Sequence, residues 1–375
     1  MEIGGDVKTI PDPLWILVPG DLATRTGGYA YDRRVVAGLR ERGWHVQLVR
    51  LDDSFPVPTA AARHEAADAL AMVPDRGLVL VDGLAFGALP DEALAHAARL
   101  ALVALVHHPL ALETGLDPRH TEALHASERR ALSAARHVVV TSRGTAATLA
   151  RYDVTADRIT VVEPGTDPAP LAQLHRTHAA RADTEQPTAV AVTLLCVGTL
   201  TPRKGYELLL DALAAVPRDT WRLRCAGSTD RDPATTARVR ERLHDRRLAG
   251  RVELIGDMDT SQLAVEYDRA DVFVLATLHE GYGMVVAEAL ARGLPIVSTA
   301  TGAIPDLVGA DAGIVVAPGD VGALANALAR VISDAPLRAR LAAAARRVRD
   351  RLPTWTDTVA NMARVLTQVR DAVNE

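Results

Sequence analysis

The chain has 375 residues, a formal net charge of −5 and 48% hydrophobic side chains. That length exceeds the size at which one core keeps growing, so two domains are expected, and the negative charge leaves no electrostatic footprint for nucleic acid. Mean hydropathy is close to zero, no run of about eighteen apolar residues occurs, and the N-terminal stretch lacks a charged region followed by an apolar one, so the expectation is a cytoplasmic globular protein. The two cysteines, Cys196 and Cys225, each lie in an apolar strand-like run. They read as buried thiols in a reducing compartment, not as a disulfide framework or a metal cluster. Repeats, low-complexity tracts and heptads are absent.

In chain order, Leu14 to Pro19 (LWILVP) reads as the first strand, Gly20 to Gly28 as a glycine-bearing loop, and Tyr29 to Gly43 as a helix stopped by its glycine. His45 to Leu51 is the second strand. This opening is Rossmann-like but has neither GxGxxG nor a Walker A sequence, so no dinucleotide is assigned to it. Gly77 to Val81 is a strand ending at Asp82-Gly83, and Leu100 to Val106 a strand ending at His107-His108-Pro109. Histidines at the carboxyl edge of a parallel strand are well placed to reach a bound ligand. Val138 to Ser142 and Arg158 to Val162 complete this half, and Glu163 to Asp167 (EPGTD) closes it. Arg176 to Pro187 is polar and aperiodic, as expected of a linker.

The second half opens with a strand over Thr193 to Val197 that runs into Gly198-Thr199-Leu200-Thr201-Pro202-Arg203-Lys204-Gly205. Among 42 basic side chains, lysine occurs only at Lys8 and Lys204. A lysine kept at a glycine-flanked strand end in an arginine-rich chain suggests a need for a compact ammonium, with phosphate as its partner. Trp221 to Ala226 and Arg251 to Ile255 are further strands, and Ser261 to Arg269 is a helix capped by Thr260 or Ser261. Two D-x-D patterns, Asp230 to Asp232 and Asp257 to Asp259, invite a metal reading, but they lie in polar acidic loops, the second at a helix start. No metal is assigned to them. Ala270 to Thr277 is a buried strand, followed by Glu280-Gly281-Tyr282-Gly283 and a helix over Met284 to Ala291. The glycines admit close backbone approach, and the first helical turn, including the amide of Met284, offers unpaired N–H groups to a phosphate. Glu288 lies one turn inside, about 6–7 Å along the axis, the step from a diphosphate to its ribose. Glu280 faces the other side of the phosphate. Gly293 and Pro295 stop that helix ahead of a further strand, Gly302 to Pro305 reads as a turn and Gly313 to Pro318 as a strand, and a basic Ala-rich helix over Arg330 to Asp350 and a final helix near Trp355 to Val373 end the chain.

Two glutamates separated by seven residues, with EGYG at the first and GLPIVSTATGAIPDLV after the second, resemble the signature of the retaining GT-B glycosyltransferases of family 4. The similarity covers most of the chain, is strongest from about Leu194 to Ala323 and is looser before that. It implies an α/β fold of two Rossmann-like domains facing across a cleft: residues 1–175 on the acceptor side, with the helix at 355–375 packing back onto them through Trp355, Val359, Met362 and Leu366, and residues 190–354 on the nucleotide-sugar side. It implies that Gly27 and Gly28 lie at the cleft, although a plain tight turn is an equal reading of a glycine pair. A histidine after the fourth strand is expected near the donor sugar. His108 is favoured over His107 because His108 to Glu113 matches the family's histidine-to-helix run. EPGTD stands where the family has Pro-Asn-Gly-Val-Asp. Thr199 stands where members commonly carry an arginine that pairs with the lysine around the diphosphate, and whether Arg203 supplies that charge is left open.

The implied function is transfer of a sugar from a nucleotide diphosphate sugar to the hydroxyl of a small-molecule, lipid or glycan acceptor, with retained configuration and no cofactor or metal. Lys204, Arg203, Gly198, Thr199 and the amides of Gly281, Tyr282, Gly283 and Met284 are assigned to the diphosphate, Glu288 to the ribose, and Glu280 and His108 to the sugar. With no carboxylate marked as a covalent nucleophile, a front-face reaction is preferred. The basic helix Tyr29 to Arg42 reads as a solvated face, so firm membrane binding is not expected. Rival readings are an epimerase or hydrolase on the same fold, a pseudo-glycosyltransferase using a cyclitol, and a non-catalytic nucleotide-sugar-binding protein.

Overall fold

The structure, a computed structural model, describes residues 13–173, 191–217 and 220–375. The linker expected at Arg176 to Pro187 lies outside the described residues. The chain divides into two compact units: one holds the chain up to Leu112, Leu116–Glu163 and Trp355–Glu375, the other Glu113–Gly115 and Pro164–Thr354.

The first unit is built on six parallel strands: β1 (Leu14–Pro19), β2 (Val46–Leu51), β3 (Leu78–Asp82), β4 (Ala101–Val106), β5 (His137–Val140) and β6 (Ile159–Val161), in the order β2-β1-β3-β4-β5-β6. β3 and β4 are buried at every residue, which is why LVLVD and ALVALV read as continuous apolar runs without alternation. Successive side chains still part to opposite faces. Leu78, Leu80, Ala101 and Val103 pack with Tyr31, Val35 and Leu39 of the helix Gly27–Glu41 and with Val359, Met362 and Leu366 of the helix Trp355–Asn374. Val79, Val81, Leu102 and Ala104 instead meet Ala66 and Leu70 of the helix Ala60–Ala71 and Leu132 of Pro118–Ala134. Gly38 lets the first and last helices approach, since a Cβ there would stand 2.5 Å from a Val359 methyl.

The second unit is a further parallel sheet: β7 (Val192–Val197), β8 (Trp221–Ala226), β9 (Val252–Gly256), β10 (Val272–Leu275), β11 (Ile296–Thr299) and β12 (Gly313–Val316), ordered β12-β11-β10-β7-β8-β9. From β7 the chain winds outward one way to β9, then returns to β10 and winds the other way. The strand order therefore reverses between β7 and β10, and in the first unit between β1 and β3. Such reversals leave a crevice at the carboxyl ends of the strands, where open α/β sheets bind ligands.

Three local expectations are corrected. The first helix begins at Gly27, because the Thr26 side chain caps it by accepting from the Tyr29 amide, so Gly27 and Gly28 form its first turn and not a loop. The helix Thr260–Arg269 is capped by Asp259, which shares a reciprocal capping box with Gln262. The basic stretch from Arg330 is two helices, Val321–Ser333 and Ala335–Arg349: the Asp334 carboxylate accepts from the Leu337 amide and opens the second, whose early Pro336 could not continue the first.

Candidate functional site

In the second unit the crevice is walled by the segments that follow β7 and β10. After β7, Gly198 leaves room for the stem of Lys204: a Cβ at Gly198 would lie 3.3 Å from its Cδ and Cε. Gly205 takes a φ of +64° and sits so close to β10 that a Cβ would be 2.0 Å from the Ala276 carbonyl oxygen, which glycine tolerates and other residues do not. The Leu278 amide donates to the Arg203 carbonyl at 2.8 Å, and Arg203 Nη1 donates to the His279 carbonyl at 2.9 Å. These bonds tie the Arg203 segment to the loop after β10, and both cations meet one carboxylate there. Lys204 Nζ is 2.6 Å from Glu280 Oε2, and Arg203 Nη1 is 3.5 Å from the same oxygen. The direction of Arg203 was the part that sequence left open; it converges on Glu280 beside Lys204. Thr199, half-buried, carries no charge to this group.

Glu280 is fixed from behind by Gly302, whose φ of +54° brings its Cα against the Glu280 carbonyl, where a Cβ would stand at 1.9 Å. Gly283, at φ +92°, starts the helix Met284–Ala291 without a side-chain cap, so the first-turn amides receive no side-chain acceptor. Tyr282 is buried against Ala287 and Ala303, with Met284 packed on the same cluster. Gly281 adds the carbonyl that accepts from the Ala303 amide. Glu288 is held separately: the Tyr267 hydroxyl donates to its Oε2 at 2.8 Å, and burial pushes its carboxyl above the usual range, against the pull of Tyr267 and Arg292. Tyr267 was not found from sequence. Its signal was an aromatic on the buried face of an otherwise polar helix.

In the first unit, β4 ends at His107, whose Nε2 donates to Asp32 Oδ1 at 3.2 Å and lies 3.5 Å from Asp82 Oδ2. Both carboxylates are buried, and Asp82 Oδ1 also accepts from the Leu84 amide. Burial pulls the imidazole down, but the two carboxylates outweigh it and raise His107 to about 10; burial pushes Asp32 up to about 6. Gly28 abuts the imidazole, with a Cβ there only 3.3 Å from His107 Cδ2, and Tyr31 meets the ring edge-on. His108 follows at the same strand end, half-buried. Asp32 and Asp82 were missed as site residues. The legible signal was an aspartate at position 32, in helical step with apolar Val35, Val36 and Leu39 on the buried face. Downstream, Glu128 Oε2 accepts from the Leu110 amide at 2.9 Å while burial pushes its carboxyl to about 8. A cavity of about 570 Å³, mostly apolar, opens here among Leu112, Leu116, Thr121, His125 and Tyr152.

The second carboxylate of each D-x-D pattern is a helix cap: Asp232 accepts from the Thr235 amide and Asp259 from that of Gln262.

The chain matches two family models, "Glycosyl transferases group 1" over residues 185–348 and "Glycosyltransferase Family 4" over residues 80–170. It belongs to the family 4 glycosyltransferases. The first match takes in the Lys204, Glu280 and Glu288 crevice, the second Asp82, His107 and His108 but not Asp32. A D-inositol 3-phosphate glycosyltransferase of Xylanimonas cellulosilytica is 32% identical over 249 residues, 64% of this chain and 59% of that protein. A lipopolysaccharide core mannosyltransferase of Rhizobium meliloti is 32% identical over 155 residues, 40% of this chain and 43% of that one. The chain thus spans about half to three-fifths of the length of the curated relatives it matches. Among solved structures, sucrose-phosphate synthase from Thermosynechococcus elongatus superposes with a TM-score of 0.78 at 23% identity, over 96% of this chain and 100% of that one. Anabaena HepE in complex with UDP-glucose gives 0.73 at 18%, over 94% and 99%. These likenesses establish the two-domain GT-B fold for this chain.

Proposed function

We propose that the protein transfers a sugar from a nucleoside diphosphate sugar to an acceptor hydroxyl with retention of configuration. The observation that carries this reading is the convergence of Lys204 and Arg203 on Glu280 at the β7/β10 reversal, next to a helix start without a side-chain cap. A diphosphate entering there meets two cations and the amides of Gly281 to Met284, and it takes over Lys204 from Glu280. The freed Glu280 carboxylate then accepts from hydroxyls of the transferred sugar. Glu288, oriented by Tyr267, accepts from the ribose. Gly198 and Thr199 border the diphosphate as backbone.

In the reaction the bond from the anomeric carbon to the diphosphate breaks as that carbon bonds the acceptor oxygen on the same face, and the acceptor proton passes to the departing diphosphate. Lys204 and Arg203 stabilise the charge that develops on the leaving group, which requires no metal there. His108 is assigned to the transferred sugar, a choice supported by the engagement of His107 Nε2 with Asp32 and Asp82. Gly27, Gly28 and His107 are assigned to the acceptor side, and the apolar cavity of the first unit suits an acceptor with an apolar portion. A cytoplasmic setting fits Cys196 and Cys225, free buried thiols at matched positions of β7 and β8. Among the described residues no helix is long and apolar enough to cross a membrane.

The test is a panel of UDP-, GDP- and ADP-glucose and -mannose, each incubated with the protein and candidate inositol, glycan and lipid alcohols. Acceptor-dependent release of nucleoside diphosphate with an α-linked product is expected. Release that needs no acceptor overturns transfer in favour of hydrolysis, and binding of a donor without turnover on any acceptor favours a binding protein.

A further inference from the structure

Asp32, Asp82 and His107 come from three separate elements, the first helix, the end of β3 and the end of β4, and meet at the strand-order reversal of the first unit. One candidate ligand atom from each lies within 4.8 Å of the others. The imidazole nitrogen is 3.2 Å from one carboxylate oxygen and 3.5 Å from the other. Ligand atoms placed tetrahedrally about 2.1 Å from a zinc-sized ion stand roughly 3.4 Å apart, which the two separations from the imidazole nitrogen match.

Two further observations point to a ligand here. Asp32 is 3% exposed, and its Oδ2 is buried with no hydrogen-bond partner, although a buried carboxylate oxygen without a partner is costly. The donor set points the same way: two buried carboxyl groups converge on one imidazole nitrogen, an arrangement that a single dication can bridge. We propose that Asp32, Asp82 and His107 bind one divalent first-row metal ion, through two carboxylates and His107 Nε2. Zinc and manganese suit this mixed oxygen and nitrogen donor set. The His107 side chain keeps 20% of its surface exposed, which gives the ion a path in and leaves a position for water. The amide of Leu84 holds Asp82 Oδ1, so that ligand is oriented by a neighbour, and Tyr31 meets the His107 ring edge-on. The ion ties the start of the first helix to two strand ends. It is separate from diphosphate neutralisation, which Lys204 and Arg203 supply in the second unit.

The experiment uses the full chain, stripped with a chelator and titrated with Co²⁺ as a visible probe and with Zn²⁺ by calorimetry. Wild type is expected to bind one ion, with Co²⁺ absorption bands in the visible region and a higher melting temperature when loaded. Asp82→Asn and His107→Gln should each weaken Zn²⁺ binding at least tenfold and abolish the bands, while His64→Gln, at a surface His-Asp pair, should change nothing. A wild-type spectrum without bands overturns the proposal, whether or not the variants fold. So does one-to-one binding that persists in a folded His107→Gln, or that is lost in His64→Gln.

Discussion

Lys204 and Glu280 are 76 positions apart in sequence, yet the lysine ammonium and the glutamate carboxylate sit 2.6 Å from each other. With side chains 12% and 14% exposed, the pair is shielded from solvent screening yet open enough to be taken apart by a competing anion. Lys204→Ala should weaken nucleoside diphosphate binding by about 1.5–3 kcal/mol, the range for a charge-assisted contact, and leave the fold intact. Calorimetry against UDP, GDP and ADP reads this directly, and unchanged affinity for every nucleotide would withdraw Lys204 from the phosphate.

The two glutamates should separate. Glu288→Gln is expected to weaken donor and free nucleotide alike and to raise KM at least as much as it lowers kcat, because a ribose contact is present before and during transfer. Glu280→Gln removes the carboxylate that competes for Lys204, so nucleoside diphosphate affinity should hold or rise while kcat/KM falls tenfold or more, about 1.4 kcal/mol per tenfold. Equal small losses of melting temperature with full activity in both variants would sink the assignment.

Tyr267→Phe removes the hydroxyl that orients Glu288 at 2.8 Å and should imitate a weakened Glu288→Gln. Nucleotide affinity is expected to fall by about 0.5–1.5 kcal/mol, the net worth of one neutral hydrogen bond. In a Glu288→Gln background the same change should have a smaller effect, which a double-mutant cycle measures.

Glu128 sets a pH dependence. Burial raises its carboxyl from 4.5 to about 8 in the folded chain, so between those values the folded state holds a proton that the unfolded state has released. Stability is therefore highest on the acid side of this window and falls as pH rises from about 4.5 to 8. Glu128→Gln, which keeps an acceptor for the Leu110 amide, should flatten that part of the melting-temperature profile and gain most at pH 8. A profile with the same slope in wild type and variant would show that Glu128 is not the group responsible.

The contact of the first and last helices offers a packing test. Gly38→Ala puts a methyl 2.5 Å from Val359 and should cost about 1–3 kcal/mol. The penalty should shrink when Val359→Ala clears the space, as thermal or denaturant unfolding of the single and double variants would show.

Much of the second unit was legible because its signals are local. A lone lysine beside glycine, EGYG before an apolar helix, and β-branched runs each declare themselves within a dozen residues. The direction of Arg203 was not legible, because it depends on a bond to the His279 carbonyl in another segment. The Asp32, Asp82 and His107 cluster was hidden for the same reason: its members gather only when the sheet orders its strands, and His107 and Asp32 are 75 positions apart. Helix ends were misplaced where the deciding atom was a single side chain, the Thr26 hydroxyl at one and the Asp334 carboxylate at another.

Gly198, Gly205 and Gly302 leave almost no freedom around the crevice, since a methyl at 205 or 302 would stand about 2 Å from a carbonyl oxygen and one at 198 would press on the lysine stem. Anyone seeking to alter donor affinity therefore has few entry points at this floor. Thr199, half-buried on the same segment, is one of them: restoring an arginine there adds a third cation without disturbing the glycines. A library varied at 199 should retain expression and melting temperature and yield changed affinity for nucleoside diphosphates, while one varied at 205 or 302 should mostly return unfolded chains.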